Sequence, residues 1–284
     1  MINSGQMNAP CLSSSYALGY SELERDRLIR QAAQLAPLTE RFFRDAGIGP
    51  GQSVLELGSG MGDVAMLVAR IVGPSGEVVG VERDANSIQF AESRVAQAGM
   101  KNVSFTQSDI SQLSTERKFH AAVGRFILQY LPDPVSVLRT LAASLRPGGI
   151  IAFHEPHWQP YQDFLRPLPL TYACAACARE IFKSSGANPD MGLSLYNVFR
   201  QAGLPTPNMR VEMILGDQPS FTNWISDLLF SLLPKARQHG ISLEALGDLD
   251  TLSTRVHAEV VAAKTVVPWI ALTAAWSRLP GAAS

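Results

Sequence analysis

Residues 53–73, SVLELGSGMGDVAMLVARIVG, run from an apolar segment through a glycine-dense turn into a pattern with helical periodicity. Gly58, Gly60 and Gly62 stand at alternate positions where the apolar segment stops. Glycine loses more backbone entropy on folding than any other residue and packs no side chain, so such a cluster marks a backbone that something approaches closely. A strand that ends in this turn and passes directly into a helix restricts the chain to few architectures.

The segments that follow narrow them further. Strand-like runs at 53–58, 77–82, 102–107, 120–126 and 150–155 alternate with helix-like runs near 62–72, 86–98 and 134–145. Alternation with short connections is the pattern of a parallel sheet covered on both faces, and the nearly continuous apolar character of the strands agrees with it. Ahead of this block, SELERDRLIRQAAQLAPLTERFFRDA (21–46) has apolar residues at helical spacing. Ser21 and Glu24 are spaced as a capping box, and Pro37 is expected to end or kink the helix. Beyond residue 156 the alternation loosens: 157–190 is helix-prone with several prolines, 193–203 reads as helix and 209–215 as strand. Two helices are expected within 221–264, then a final strand over 265–277 whose start Pro268 weakens. The reading is an α/β fold, a doubly wound, mostly parallel sheet with helical cap or lid insertions. It divides into an N-terminal helical lid (1–46), a Rossmann-like core of alternating strands and helices (47–156), and the rest of the sheet with its cap segments (157–284).

Charge and composition exclude several classes. The 24 Lys and Arg residues nearly balance the 25 Asp and Glu, with no long basic run, which argues against a nucleic-acid surface. The first twenty residues lack a basic start followed by a long apolar segment, so no signal peptide is expected. The most apolar stretch, VVAAKTVVPWIALTAAW, is interrupted by Lys264 and Pro268 and is too short to span a bilayer. A soluble, cytoplasmic protein is the expectation. Three cysteines make no disulfide framework. Cys174 and Cys177 form a C-x-x-C, but no second cysteine pair or paired histidines complete a zinc site, and they read as small apolar residues of a helix. No metal is expected.

In an open parallel sheet, ligands bind beyond the carboxyl ends of the strands, at the point where strand order reverses. Glu82 ends the second strand-like run, where a carboxylate accepts from both ribose hydroxyls, and Asp109 follows the third, within reach of an exocyclic amine. A dinucleotide turn reads G-x-G-x-x-G, whereas the third glycine position here holds Asp63, and Glu56 precedes the turn. Acids so placed suit a cationic ligand better than a pyrophosphate. S-adenosylmethionine carries both an ammonium and a sulfonium.

VLELGSGMG resembles the nucleotide turn of class I S-adenosylmethionine-dependent methyltransferases. VVGVERD is similar to their second-strand segment, SDI to the adenine-contacting segment, and LRPGGIIAF to the lead into their fifth strand, all in order over residues 50–155. The small-molecule branch that includes ubiquinone and menaquinone C-methyltransferases is the nearest in character. The resemblance implies a Rossmann-like sheet of seven strands and a cofactor held by Glu56, Gly58, Ser59, Gly60, Glu82, Arg83, Asp109 and Ile110. YALGYSELERDRLIRQ is similar to a lead-in helix that folds over the cofactor in some members, which brings Tyr16 and Gln31 to the methionine end; plain helix packing is the alternative. The chain departs from many relatives at the end of the fourth strand, where Gly124-Arg125 replaces an acid or asparagine followed by a proline-aromatic pair. Arg125 can bind the methionyl carboxylate or a substrate carboxylate bidentately, or serve in a structural ion pair. The departure speaks against methylation of amines on nucleic acids or proteins.

FHEPHW at the end of the fifth strand makes His154 the first candidate for a base or substrate-orienting group. Neighbouring His154 and Glu155 point to opposite sides of a strand, so one of them is expected to face the site. Trp158, Tyr161, Phe164 and Tyr172, with Phe182, Met191, Trp224 and Phe230, are candidates for either an apolar pocket or the core of the cap; Gln129 and Tyr130 are further candidates. The expected activity is methyl transfer from S-adenosylmethionine to oxygen, carbon or nitrogen of an apolar or aromatic metabolite. The alternatives are a non-catalytic S-adenosylmethionine- or metabolite-binding regulatory module and a nicotinamide-dependent oxidoreductase. Partners are limited to the small molecule and, at most, a second copy in a homodimer.

Overall fold

The computed structural model describes residues 22–110 and 117–282. Helix α1 (Glu22–Asp45) leads into an alternating block: β1 (Ser53–Leu57), α2 (Asp63–Val72), β2 (Glu77–Glu82), α3 (Ala85–Gln97), β3 (Val103–Gln107), β4 (Phe119–Arg125), α4 (Pro134–Ala143) and β5 (Leu145–His157). After it come α5 (Trp158–Phe164), α6 (Pro169–Ser184), α7 (Met191–Gln201), β6 (Asn208–Glu212), β7 (Leu215–Gly216), α8 (Pro219–Thr222), α9 (Trp224–Gln238), α10 (Leu252–Ala262), β8 (Val267–Pro268) and β9 (Ala271–Arg278). The main sheet has seven strands in the order β3-β2-β1-β4-β5-β9-β6. β9 is antiparallel to both of its neighbours, and the pairings from β3 to β5 are parallel. Strand order reverses between β1 and β4, which opens a crevice above their carboxyl ends.

Successive strand residues face opposite sides, and the core divides accordingly. On one face, Val54, Val78, Val123 and Ala152 pack against α2 and against Phe42 and Phe43 of α1. On the other, Leu55, Val81, Ala122 and Phe153 pack against α4 and α7. A third cluster forms the cap, where α5, α6, α9 and α10 enclose Trp158, Tyr161, Ile181, Leu229 and Val256 together with Leu35 and Leu38 of α1. Helix α1 therefore belongs to two cores at once.

The expected elements appear with small shifts, and three differ in kind. Of the two expectations for Pro37, an end or a kink, the end does not occur: helix α1 runs through it. Pro37 is exposed while Leu35 and Leu38 on either side of it are buried, so apolar burial on both sides outweighs the lost backbone hydrogen bond. The expected strand at 209–215 divides into β6 and β7, and that at 265–277 breaks after Pro268 into β8 and β9. Pro268 lies in the two-stranded β7–β8 pair, an edge position where a missing N–H costs little. Ser21 and its capping box lie outside the described residues. Among the described residues, no helix is long and apolar enough to cross a membrane.

Phe42 is fully buried, with ring centroids 5.0 Å from Phe43, 5.1 Å from His154 and 5.7 Å from Trp276. Phe42→Ala is expected to cost about 3–5 kcal/mol in a urea titration, as for other large-to-small core changes. A loss under about 1 kcal/mol would show that α1 is not anchored through this ring.

Candidate active site

The turn after β1 is built from left-handed glycines and two carboxylates. Gly58, Gly60 and Gly62 have φ of 67°, 48° and 80°. A Cβ on Gly58 would stand 2.5 Å from the Ile127 side chain, whereas one on Gly60 would meet nothing within 4 Å and would project into open space. The N–H groups of Gly58 and Ser59 donate to the Val81 carbonyl at 2.9 and 3.1 Å, which ties the turn to the end of β2. Glu82 completes the tie: one carboxylate oxygen accepts from Gly60 N–H at 2.9 Å, and the other from Arg83 and Asp84 N–H at 2.8 and 3.0 Å. Behind the turn, the Ser59 hydroxyl donates to the carboxyl of Glu56.

Above these strand ends lies a cavity of about 190 Å³ roofed by Leu28, Gln31 and Ala32 of α1. Its floor and sides include the glycine turn, Glu82, Asp109 and Arg125. Asp63 lines it too, ion-paired to Arg94 at 2.7 Å. Arg125 donates to the Thr39 hydroxyl at 3.0 Å, which ties the end of β4 to α1.

A second space of about 70 Å³ shares Leu28, Gln31, Phe126 and Tyr130 with the first. Trp158, Phe182 and Trp224 complete its aromatic wall, with Trp158 centred 5.8 Å from Phe182 and 6.4 Å from Trp224. Phe126, between the two spaces, holds φ at 57°, a conformation rarely adopted by a side chain of this size. Glu155 fixes the turn behind it by accepting from Ile127, Leu128 and Gln129 N–H at 3.0, 2.9 and 3.3 Å.

The sequence profile of a family described as a methyltransferase domain matches residues 48–203. The chain belongs to that family. A 2-phytyl-1,4-naphtoquinone methyltransferase of Synechococcus elongatus is 34% identical over 125 residues, covering 43% of this chain and 53% of the relative. An arsenite methyltransferase of Halobacterium salinarum is 32% identical over 111 residues, covering 39% of this chain and 28% of the relative. The chain thus spans about half the length of the first of these curated relatives and less of the second. Among solved structures, the YcgJ protein of Bacillus subtilis aligns over 88% of this chain and 100% of its own, with a TM-score of 0.56 at 14% identity. That likeness is one of fold.

In this methyltransferase domain, Gln31, Gly58, Ser59, Gly60 and Glu82 all line the strand-tip cavity, as do Arg83, Asp109, Ile110 and Arg125. Tyr16 lies outside the described residues. Glu56 does not reach the lining: it is 1% exposed, and burial pushes its carboxyl up to about 8, against the opposing effects of Ser59 and Arg125. At neutral pH it is mostly protonated, so it does not add the negative charge expected of it.

His154 is also set back from the cavity. It is fully buried, packs on Phe42, and has Nδ1 3.4 Å from the Thr39 hydroxyl. Burial lowers its pKa to about 3, and the charges of Arg125 and Arg210 act in the same direction. The β5 alternation turns His154 under α1 and Glu155 toward the 127–129 turn, so neither of them lines the cavities. His157 is half-buried near Asp190 and Arg179. Among the described residues no group of three His, Cys, Asp or Glu side chains is placed to hold a metal. Cys174 and Cys177 lie within α6, and burial raises the Cys174 thiol to about 12.

The cap aromatics divide between pocket and packing. Trp158, Phe182 and Trp224 face the aromatic chamber, whereas Tyr161 is buried in the cap and Met191, the first residue of α7, is buried in the sheet core. Tyr172 packs at the margin of the cap cluster, and Phe164 and Phe230 are partly exposed. Gln129 and Tyr130 both line the chamber.

Glu56 keeps its proton to about pH 8 when folded but releases it near 4.5 when unfolded. Between these values the folded state binds more protons, so its stability falls as pH rises, by at most about 1.4 kcal/mol per pH unit. Glu56→Gln is expected to lose less stability than the parent between about pH 6 and pH 8 in paired urea titrations. Equal losses would show that Glu56 is ionised throughout.

Proposed function

We propose that this methyltransferase domain binds S-adenosylmethionine in the strand-tip cavity and directs its methyl group to an acceptor whose reacting group lies in the aromatic chamber. The observation that carries the reading is the Glu82 carboxylate. Its backbone bonds to both the glycine turn and the start of α3 fix its position, and it lines the cavity where a ribose would sit. On this reading Glu82 accepts from the two ribose hydroxyls, Asp109 takes the exocyclic amine of adenine, and the open Gly60 backbone passes close to the ligand. Arg125 offers its guanidinium to the methionyl carboxylate.

The chemistry such a ligand supplies is a methyl carbon made electrophilic by a sulfonium, with the C–S electron pair leaving on sulfur. The chain contributes alignment, which can account for up to roughly 7–11 kcal/mol of a barrier. Among the described residues, those lining the chamber include no histidine and no carboxylate. The reading then favours an acceptor whose nucleophile needs no base from the chamber, such as a phenol or hydroquinone that gives its proton to water as the methyl–oxygen bond forms, with Gln129 and Tyr130 to orient it. Neither described cysteine lines the chamber, so an arsenic acceptor, which favours soft thiolate ligands, has less support.

Calorimetry tests the assignment directly. Glu82→Ala is expected to weaken S-adenosylmethionine binding by about 2–3 kcal/mol, or roughly 30- to 150-fold, the cost of removing a charged hydrogen-bond acceptor. An unchanged Kd would remove the ribose assignment, and binding of NAD in place of S-adenosylmethionine would favour the oxidoreductase. Tight S-adenosylmethionine binding with no methyl transfer to any phenol, hydroquinone or amine in a broad panel would favour the regulatory module.

A further inference from the structure

The main sheet ends on one side at β6 (Asn208–Glu212). This strand pairs with β9 along one edge and, among the described residues, with no strand along the other. A free edge offers a row of backbone N–H and C=O groups to any strand that matches it, and proteins that avoid such pairing often place proline or lysine there. β6 holds neither.

Its two faces differ in chemistry. Met209 and Val211 lie opposite Ala275 and Thr273 of β9, on the side that α7 covers. Helix α7 rests on β9, where a Cβ on Gly192 would stand 2.5 Å from the Thr273 side chain. Val211 is 52% exposed and Met209 39%, and on α7 Leu193 is 67% exposed and Tyr196 47%. These are four of the eight large exposed apolar side chains among the described residues, gathered at one side of the molecule. On the opposite face Arg210 lies 2.7 Å from Asp45 and 3.1 Å from Glu212, which also pairs with Arg41 of α1. Two positive and two negative charges leave that face neutral, so it does not repel a copy of itself.

The sequence of the edge is self-complementary. Met209-Arg210-Val211-Glu212-Met213 reads as apolar, positive, apolar, negative, apolar. In an antiparallel pair related by a two-fold axis, directly opposed residues share a face, so one residue must oppose itself. Centring the pair on Val211 sets Val211 against Val211, Arg210 against Glu212, and Met209 against Met213. Centring it on Arg210 or on Glu212 would oppose like charges, which is destabilising.

We propose that β6 is the docking edge for a second copy of this chain, the two strands pairing antiparallel about Val211 so that both sheets join as one. The two copies of β9 then lie three strand spacings apart, about 14 Å. Met209 and Val211 of both copies fill the trough between the two α7 helices, flanked by Leu193 and Tyr196. The proposal does not depend on the methyl-transfer reading.

Sedimentation velocity on the full chain tests it, and a reversible dimer is expected by about 100 μM protein, as for a small interface. Val211→Lys places two ammonium groups on the axis and should weaken the dimer at least tenfold, with the circular dichroism spectrum unchanged. Met209→Lys serves if that variant does not fold. Cysteine cross-linking with oxidised glutathione reads the register. Val211→Cys should give a covalent dimer, because opposed Cα atoms lie about 4.5–5.5 Å apart. Met209→Cys alone should not exceed the parent chain, since its two copies stand about 13 Å apart, beyond disulfide reach, whereas mixing it with Met213→Cys should cross-link. A monomer at this concentration, a dimer that withstands the lysine variants, or cross-linking of Met209→Cys as ready as that of Val211→Cys would overturn the proposal.

Discussion

The loops at the carboxyl ends of β1 and β4 must leave the sheet, and once outside it their backbone N–H groups need acceptors. Two carboxylates supply them. Glu82 gathers the N–H groups of Gly60, Arg83 and Asp84, and Glu155 those of Ile127, Leu128 and Gln129. A buried N–H left without a partner costs about 1–3 kcal/mol, so each carboxylate determines the shape of a whole turn. The strand-tip cavity and the aromatic chamber are the spaces left between those two turns and α1.

Holding the turns this way has a cost that differs between the acids. Burial raises Glu155 to about 7 despite three backbone donors, and Glu56, with Ser59 as its donor, to about 8. Glu155 offsets its desolvation by organising a turn that would otherwise be strained. Phe126 sits in the left-handed region, a conformation that costs on the order of 1–3 kcal/mol and persists only where neighbours over-determine it. Its own N–H donates to the His154 carbonyl at 3.0 Å, and the next three N–H groups go to Glu155. The result is an aromatic ring fixed on the wall between the two cavities. His154 thus contributes through its main chain, while its imidazole stays neutral in the packing beneath α1.

What could be read from the sequence follows from how local each feature is. The glycine turn, Glu82 and Asp109 lie at the ends of consecutive strands, so spacing along the chain translates directly into neighbourhood in space. His154 misled because strand alternation gives the side a residue faces but not what covers that side, and α1, more than a hundred residues away, covers this one. Glu155 binds backbone, which leaves no residue-type signal at 127–129. The Glu24–Arg27–Gln31 row carried a visible cue, three long polar side chains at i, i+3 and i+7 on a helix whose buried face is apolar apart from Thr39. Its meaning needed the cap helices in place. The cap aromatics were the least legible, because the same residue types fill a pocket wall and a core, and only packing separates Trp158 from Tyr161.

Helix α1 connects these parts. Its C-terminal half places Phe42 and Phe43 in the sheet core, and its middle places Leu35 and Leu38 in the cap core. Between these anchors Thr39 receives Arg125, and two residues earlier Pro37 leaves a gap in the helical hydrogen bonding where the chain is exposed. The cavity-facing residues Leu28 and Gln31 stand N-terminal to both anchors, so their position is set by how the two cores hold the helix together. One element therefore sets the distance between the strand-tip cavity on the sheet and the aromatic chamber on the cap. On the methyl-transfer reading proposed above, changes in the cap that alter which acceptor fits would have to preserve that distance and would fall on the side chains lining the chamber.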